Sequence, residues 1–415
     1  MTRFVRFPLA LAVAACLTTA ACSSSNEASS AEDSSTTSAA VAPATNPATT
    51  TPLPSTTIAG PKADFYKAPD NLAALQPGDL IRSVIFETTN DFTGFTVLYA
   101  SRSVVNKPIA VSGMVWVPNT PSKGNPLVSY AHGTTGIADD CAPSKSNGAG
   151  ETGLIADILV PKGYIFAATD YEGLGTEGVH PYIVGQSEAR SMLDIIRAAR
   201  LLTESFGESV VWGHSQGGGA ALMAAEIAGS YAPDTKVIGA IGGAPVVELD
   251  QLTNVFGATD SFGFMFMVAA GFKAAYNDID LSKFMTKEGL DMVALAETTC
   301  TEVILKARGK DVATYLSTSS INTEPLLGHL QDNTPGNVST NVPVFVYHGD
   351  DDELIPAATS LDYLKRACAT GGYNIERKTY AGASHVSVLF SAASDIQKWI
   401  ANRFSGASPS PTTCP

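Results

Sequence analysis

The sequence predicts an α/β fold: a mostly parallel sheet with helices on both faces and a helical segment inserted late in the chain. Three observations carry this. Short β-prone runs alternate with helical periodicity over most of the chain. One run, Val210-Val211-Trp212, enters Gly213-His214-Ser215-Gln216-Gly217 and passes at once into a small-residue helical pattern. Between about Val246 and Asn341 the alternation stops and no strand pattern stands out.

The first residues are not part of that fold. Arg3 and Arg6 precede an apolar stretch, Pro8 to Leu17, too short to span a bilayer and built like an export signal. Thr19-Ala20-Ala21-Cys22 then resembles a bacterial lipoprotein cleavage site, with Cys22 as the lipidated residue. Cleavage after Ala21 without a lipid, and Val13-Ala14-Ala15-Cys16 as the lipid site, are the alternatives. From residue 23 to about 60 the chain is Ser, Thr, Ala and Pro without an aromatic residue. Such a segment cannot bury enough surface to offset its ordering entropy, so a disordered tether is expected. The expected organisation is a signal over 1–22, the tether over 23–60, a core over 61–245 and 342–415, and a helical cap over 246–341.

The whole sequence is 45% hydrophobic, ample for a sizeable core. Leu80 to Phe86, Thr96 to Tyr99 and Ile109 to Val117 read as strands separated by Asn and Gly turns. Pro126 to Ala131 is a further strand and ends in His132-Gly133-Thr134-Thr135-Gly136; Tyr164 to Thr169 is another. Ala189, Met192, Leu193 and Ile196 recur at i, i+3, i+4, i+7, which predicts an amphipathic helix leading to the Val210 strand. Lys236 to Ala240 and Val342 to Tyr347 read as short buried strands. Leu361, Leu364 and Cys368 mark a helix, Ile375 to Tyr380 a strand, and Val386 to Phe404 a closing helix. Inside the cap, Phe262 to Phe272 carries no charge. It is a buried cap helix or a lid in which Phe262, Phe264 and Phe266 line an acyl-chain pocket.

A formal charge of −14 argues against nucleic acid or an anionic membrane surface as a direct partner. The lipid anchor is the one membrane link expected, and no protein partner and no cofactor are predicted. With Cys16 and Cys22 set aside, Cys141, Cys300, Cys368 and Cys414 remain, an even number that reads as two disulfides in an exported chain. Sequence alone leaves three pairings open. No C-x-x-C or C-x-x-H spacing points to a metal.

The chemistry gathers at Ser215. A strand, G-x-S-x-G and a helix form a nucleophile elbow: glycines at 213 and 217 allow a strained turn, and the first helical amides face a developing oxyanion. A serine needs a base, and six histidines are candidates: His132, His180, His214, His329, His348 and His385. The order Ser, acid, His selects His385, the only one that follows a plausible acid. That acid lies in His348-Gly349-Asp350-Asp351-Asp352-Glu353-Leu354-Ile355-Pro356 at a strand end. Asp352 is preferred because Asp-x-x-Ile-Pro then leads into a helix; Asp350 and Asp351 are rivals. The oxyanion donors expected are the backbone N–H of Gln216 and one from the loop holding Thr134 and Thr135.

These pieces, together with Tyr99-x-Ser101, Val111-Ser112-Gly113, Tyr130 to Gly136, Asp140 to Ser144 and Asp170-Tyr171-Glu172-Gly173, resemble the secretory lipase family. The resemblance runs from about Phe65 to Phe404. It implies an α/β-hydrolase fold with a helical cap, hydrolysis of carboxylic esters including acylglycerols, and Ser215, Asp352 and His385 as the triad. It also favours the pairs Cys141–Cys300 and Cys368–Cys414. One departure stands out: the fungal A-type enzymes place a carboxylate where this chain has Thr135.

The leading expectation is therefore an exported serine hydrolase acting on lipid or small esters. A cell-envelope acyltransferase using the same triad is the alternative within enzymes. A non-catalytic surface-binding protein is the alternative outside them.

Overall fold

The computed structural model describes residues 65–251, 261–318, 323–412 and 414–415. The expected signal, Cys22 and tether lie outside them. Nine strands form one sheet in the order β1-β2-β3-β5-β4-β6-β7-β8-β9. The strands are β1 Leu80–Thr88, β2 Phe92–Arg102, β3 Pro108–Pro118, β4 Leu127–Ala131, β5 Ile165–Thr169, β6 Ser209–His214, β7 Val237–Gly243, β8 Val344–Gly349 and β9 Ile375–Tyr380. The first three pair antiparallel and β5 joins β3 antiparallel; from β5 through β9 every pairing is parallel.

The central strands β4, β5 and β6 are buried at every residue, as strands covered on both faces must be. Their side chains sort by the two-residue period. Leu127, Ala131, Ile165, Ala167 and Val211 face one layer, while Val128, Tyr130, Phe166, Ala168, Val210 and Trp212 face the other. The first layer is covered by α2 (Gly185–Thr203), α3 (Gln216–Tyr231) and α8 (Ala357–Thr370). The second is covered by α1 (Glu151–Leu159), α9 (Val388–Ser391) and α10 (Ala393–Phe404). The expected closing helix over Val386 to Phe404 is thus two helices, broken at Ala392.

Between Gly243 and Val344 lie the helices α4 (Phe264–Ala275), α5 (Lys287–Ala296), α6 (Glu302–Ala307) and α7 (Leu326–Asp332), and residues 249–251 are helical as well. They share a separate core of Phe262, Phe266, Met267, Phe272, Met292 and Tyr315, among others. Helix α4 is apolar almost all round and is buried from Met265 to Phe272, as a helix with no polar face must be. No described helix is long and apolar enough to cross a membrane.

Two disulfides are present, Cys141–Cys300 and Cys368–Cys414, with Cα–Cα distances of 5.5 and 5.9 Å. The first ties the helical segment between β7 and β8 to the chain after β4; the second ties the C-terminal residues to α8. They close loops of 159 and 46 residues. Chain entropy alone then stabilises the fold by about 5 and about 4 kcal/mol respectively.

Candidate active site

The site is assembled where three strands end. β6 delivers Ser215, and the turn there is tight: Ser215 has φ 58 and ψ −119, a conformation an L-residue holds only when its surroundings impose it. What imposes it is the close approach of neighbouring backbone. A Cβ on Gly213 would come within 2.0 Å of Gly217 O, and one on Gly217 within 1.8 Å of Ala131 O. Only glycine fits at either position. Ser215 N–H donates to Gly243 O of β7 at 2.8 Å, which pins the turn to the sheet.

His385 follows β9 and its ring reaches across to the serine. Its Nε2 lies 2.9 Å from Ser215 Oγ and its Nδ1 lies 2.8 Å from Asp352 Oδ2. Asp352 sits beyond β8, where its other oxygen accepts the N–H groups of Leu354 (2.9 Å) and Ile355 (2.7 Å). Burial of this carboxyl opposes ionisation, but hydrogen bonds from His348 and His385, the charge of His385 and the Ile355 amide outweigh it. Its pKa is held well below the usual carboxylate range, so the group is an anion at neutral pH.

The rivals face elsewhere. Asp350 Oδ1 accepts from Gly382 N–H at 2.6 Å, and Asp351 is exposed. Glu353 accepts the backbone N–H of His385 at 3.1 Å. The acidic run therefore divides its labour: one carboxylate meets the imidazole and two fix the loop that carries it.

The other histidines serve as supports. His214 donates from Nε2 to the carbonyl of His385 at 3.0 Å, and burial lowers its pKa to about 3, so it stays neutral. His348 donates from Nε2 to Ile355 O at 2.9 Å, beneath the acid loop. His132 Nδ1 meets Gly133 O at 2.6 Å, and His180 Nδ1 meets Glu172 O at 2.8 Å. His329 pairs with Asp278 in the cap.

Three contacts hold the loop after β4, and a fourth anchors the carboxylate that makes one of them. Gly133 N–H donates to Glu151 Oε1 at 2.9 Å, and Tyr130 OH donates to the same oxygen at 2.7 Å. Tyr171 OH donates to His132 O at 2.7 Å, and Tyr182 OH pairs with Thr134 Oγ1 at 2.7 Å. Among the described residues the buried hydroxyl of Thr135 has no hydrogen-bond partner. Glu151, at the start of α1, thus supplies from elsewhere in the chain a carboxylate bound to this loop. Nothing local to His132–Gly136 signals it; the pairing depends on α1 packing against β4.

A cavity of about 260 Å³ opens onto Ser215. Its walls include Thr134, Thr135, Glu151, Phe264, Leu354, His385, Val386 and Leu389. Of the three phenylalanines expected on an acyl pocket, Phe264 is in this wall. Phe262 and Phe266 are not: both are buried in the cap core, their rings 5.2 Å apart edge to face, with Tyr315 against each. Phe264 and Phe266 stand two residues apart on α4 and so point to different sides of it, while Phe262, just before the helix, packs with Phe266.

A mostly parallel sheet with a serine on its strand-to-helix turn, and an aspartate and a histidine beyond two later strands, defines an α/β-hydrolase. The chain belongs to the secretory lipase family, whose model matches residues 147–411. It is 27% identical over 376 residues to Lipase A of Moesziomyces aphidis, covering 83% of this chain and 80% of that protein. It is also 27% identical over 370 residues to a Mycobacterium tuberculosis protein named "Probable inactive lipase", covering 82% of each. In structure it resembles Candida antarctica lipase A in its closed state, with a TM-score of 0.76 at 24% identity over 86% of this chain and 89% of that one.

Proposed function

We propose that this chain is an exported serine hydrolase that cleaves lipid or other carboxylic esters through an acyl-enzyme on Ser215. The observation that carries the reading is the unbroken line Ser215 Oγ–His385 Nε2, His385 Nδ1–Asp352 Oδ2, at 2.9 and 2.8 Å on the wall of a cavity. One relative is named as inactive, so the reading rests on this geometry and not on family membership alone.

In the first step His385 Nε2 takes the Ser215 proton as Oγ attacks the ester carbonyl. The imidazolium that forms is stabilised by ionised Asp352. The new oxyanion is met by the N–H of Gln216, at the start of α3, and by donors of the Thr134–Thr135 loop. With Gly133 N–H committed to Glu151, the loop's contribution falls to Thr134 or Thr135, and the unpartnered Thr135 hydroxyl adds a side-chain donor. His385 then protonates the departing alkoxide, and the alcohol leaves. Water, deprotonated by the same ring, releases the carboxylic acid and restores Ser215. Phe264, Val386, Leu354 and Leu389 give the acyl chain an apolar wall. Export through the segment 1–22, with Cys22 as lipid anchor, is part of the same reading. Mass analysis of the mature N-terminal peptide decides it, since an unmodified N-terminus at Cys22 would exclude the anchor.

The test is a hydrolysis profile of the purified chain over p-nitrophenyl esters from acetate to palmitate. Turnover of at least part of the series is expected; no turnover of any ester would overturn the proposal.

A further inference from the structure

One buried carboxyl outside the triad joins the elbow residue Gln216 to the chain beside Tyr182. Glu188 lies in the first turn of α2 and is 1% exposed. Its Oε1 accepts from Gln216 Nε2 at 2.7 Å and from Ile183 N–H at 2.9 Å. Gln216 is the residue whose backbone N–H faces the oxyanion from the elbow. Ile183 adjoins Tyr182, whose hydroxyl holds Thr134 on the opposite wall.

The backbone at that point is strained. Ile183 has φ 53, unfavourable for a β-branched residue, and survives only because something over-determines it. The Glu188 contact to its N–H is one such restraint. A second passes through His180. With Nδ1 bound to Glu172 O, its Nε2 is left as acceptor for Gln216 Nε2 at 2.9 Å. The His180 ring stacks on Tyr171, which holds His132 O, and meets Tyr182 edge to face. Both protons of the Gln216 amide nitrogen are thereby used, one by His180 and one by Glu188. The elbow's side chain is fixed from the same cluster that fixes the facing loop.

We propose that Glu188 is a positioning residue of the oxyanion site, registering Gln216 on the elbow against the Tyr182–Thr134 wall. This deepens the hydrolase reading above and rests on it. A geometry that serves the oxyanion matters in the transition state more than in the ground state. Its loss therefore falls on kcat and spares KM. Burial raises the pKa of this carboxyl to about 8, so it is largely neutral at pH 7 and glutamine reproduces its shape and its acceptor oxygen.

The experiment compares wild type, Glu188→Ala and Glu188→Gln on p-nitrophenyl butyrate at pH 7, with labelling of Ser215 by a fluorophosphonate as a control. Glu188→Ala should lower kcat ten- to a hundredfold (about one step short of removing a donor outright) with KM within about twofold. Glu188→Gln should keep kcat within about threefold of wild type. If Glu188→Ala does not fold, Gln216→Leu carries the test, because it breaks the link at the elbow and leaves the Glu188–Ile183 contact; the same loss in kcat is expected. An alanine or leucine variant within twofold of wild type in kcat would overturn the proposal. So would a loss shared equally by KM, or a glutamine variant as impaired as alanine. A wild-type chain that neither hydrolyses the ester nor takes the label overturns the hydrolase reading itself, and this inference with it.

Discussion

Truncating Phe264 and Phe266 separates the cavity wall from the cap core. Phe264 lines the cavity at Ser215, whereas Phe266 is fully buried between Phe262 and Tyr315. A phenyl ring flanking an extended acyl chain covers about two methylenes, each worth about 0.8 kcal/mol, or about 1.6 kcal/mol in all. Phe264→Ala should therefore lower the decanoate-to-butyrate ratio of kcat/KM by about fifteenfold, since decanoate has the longer chain to lay against the lost wall. Butyrate hydrolysis itself should stay near wild type. Phe266→Ala should behave otherwise: it leaves a hole in packed core costing about 3–5 kcal/mol, lowers Tm, and leaves the ratio unchanged. The assay is initial rates on the two p-nitrophenyl esters with a melting curve for each variant. A Phe264→Ala enzyme that loses both esters equally, or a Phe266→Ala enzyme that changes the ratio without losing stability, would refute the assignment of the wall.

Asp352→Asn should leave the fold intact, because the amide oxygen can still accept from Leu354 and Ile355, yet reduce kcat by roughly four orders of magnitude. The new amide N–H beside His385 Nδ1 forces the proton onto Nε2, where the serine proton must go; Asp350→Asn should have a small effect by comparison, and the reverse order of damage would misassign the acid. Stability should fall as pH rises from about 6.5 to about 8. Burial raises Glu188 to about 8 and Glu226 to about 7 from an ordinary 4.5, so in this window the folded chain holds protons the unfolded chain has released. The buried His180 and His214, lowered from 6.5 to about 3, contribute the opposite slope only below 6.5. Melting temperatures across that range check the sign, Glu188→Gln should flatten the slope, and a Tm that climbs between pH 6.5 and 8 would contradict it.

The fold was legible because its signals are local. Each of the nine strands carries its own β-prone run, and the small residues after Ser215 announce the helix that packs against β4, β6 and β7. His385 could be reached by order along the chain alone. The finer site was legible only in part, with Asp352 no more than a preference, for three physical reasons. Choosing Asp352 over its neighbours depends on the turn that gives its oxygen the Leu354 and Ile355 amides, a matter of one residue's phase. The three cap phenylalanines carry one composition signal, but helical phase and tertiary packing send Phe264 to the cavity and the other two inward. Glu151 lies 18 residues from Gly133 and Glu188 28 from Gln216, so these two links exist only once α1 and α2 have packed. Nor does a carboxylate missing at Thr135 mean that none holds the loop, because Glu151 arrives from the next helix.

The claim on which everything else depends is that Ser215 carries the acyl group. It is tested by quenching the chain in acid during turnover of p-nitrophenyl butyrate, digesting it and weighing the peptides. A butyryl group on the peptide containing Ser215, absent from Ser215→Ala together with the turnover, is the predicted result. A butyryl group on another residue, or turnover that survives Ser215→Ala, would contradict it.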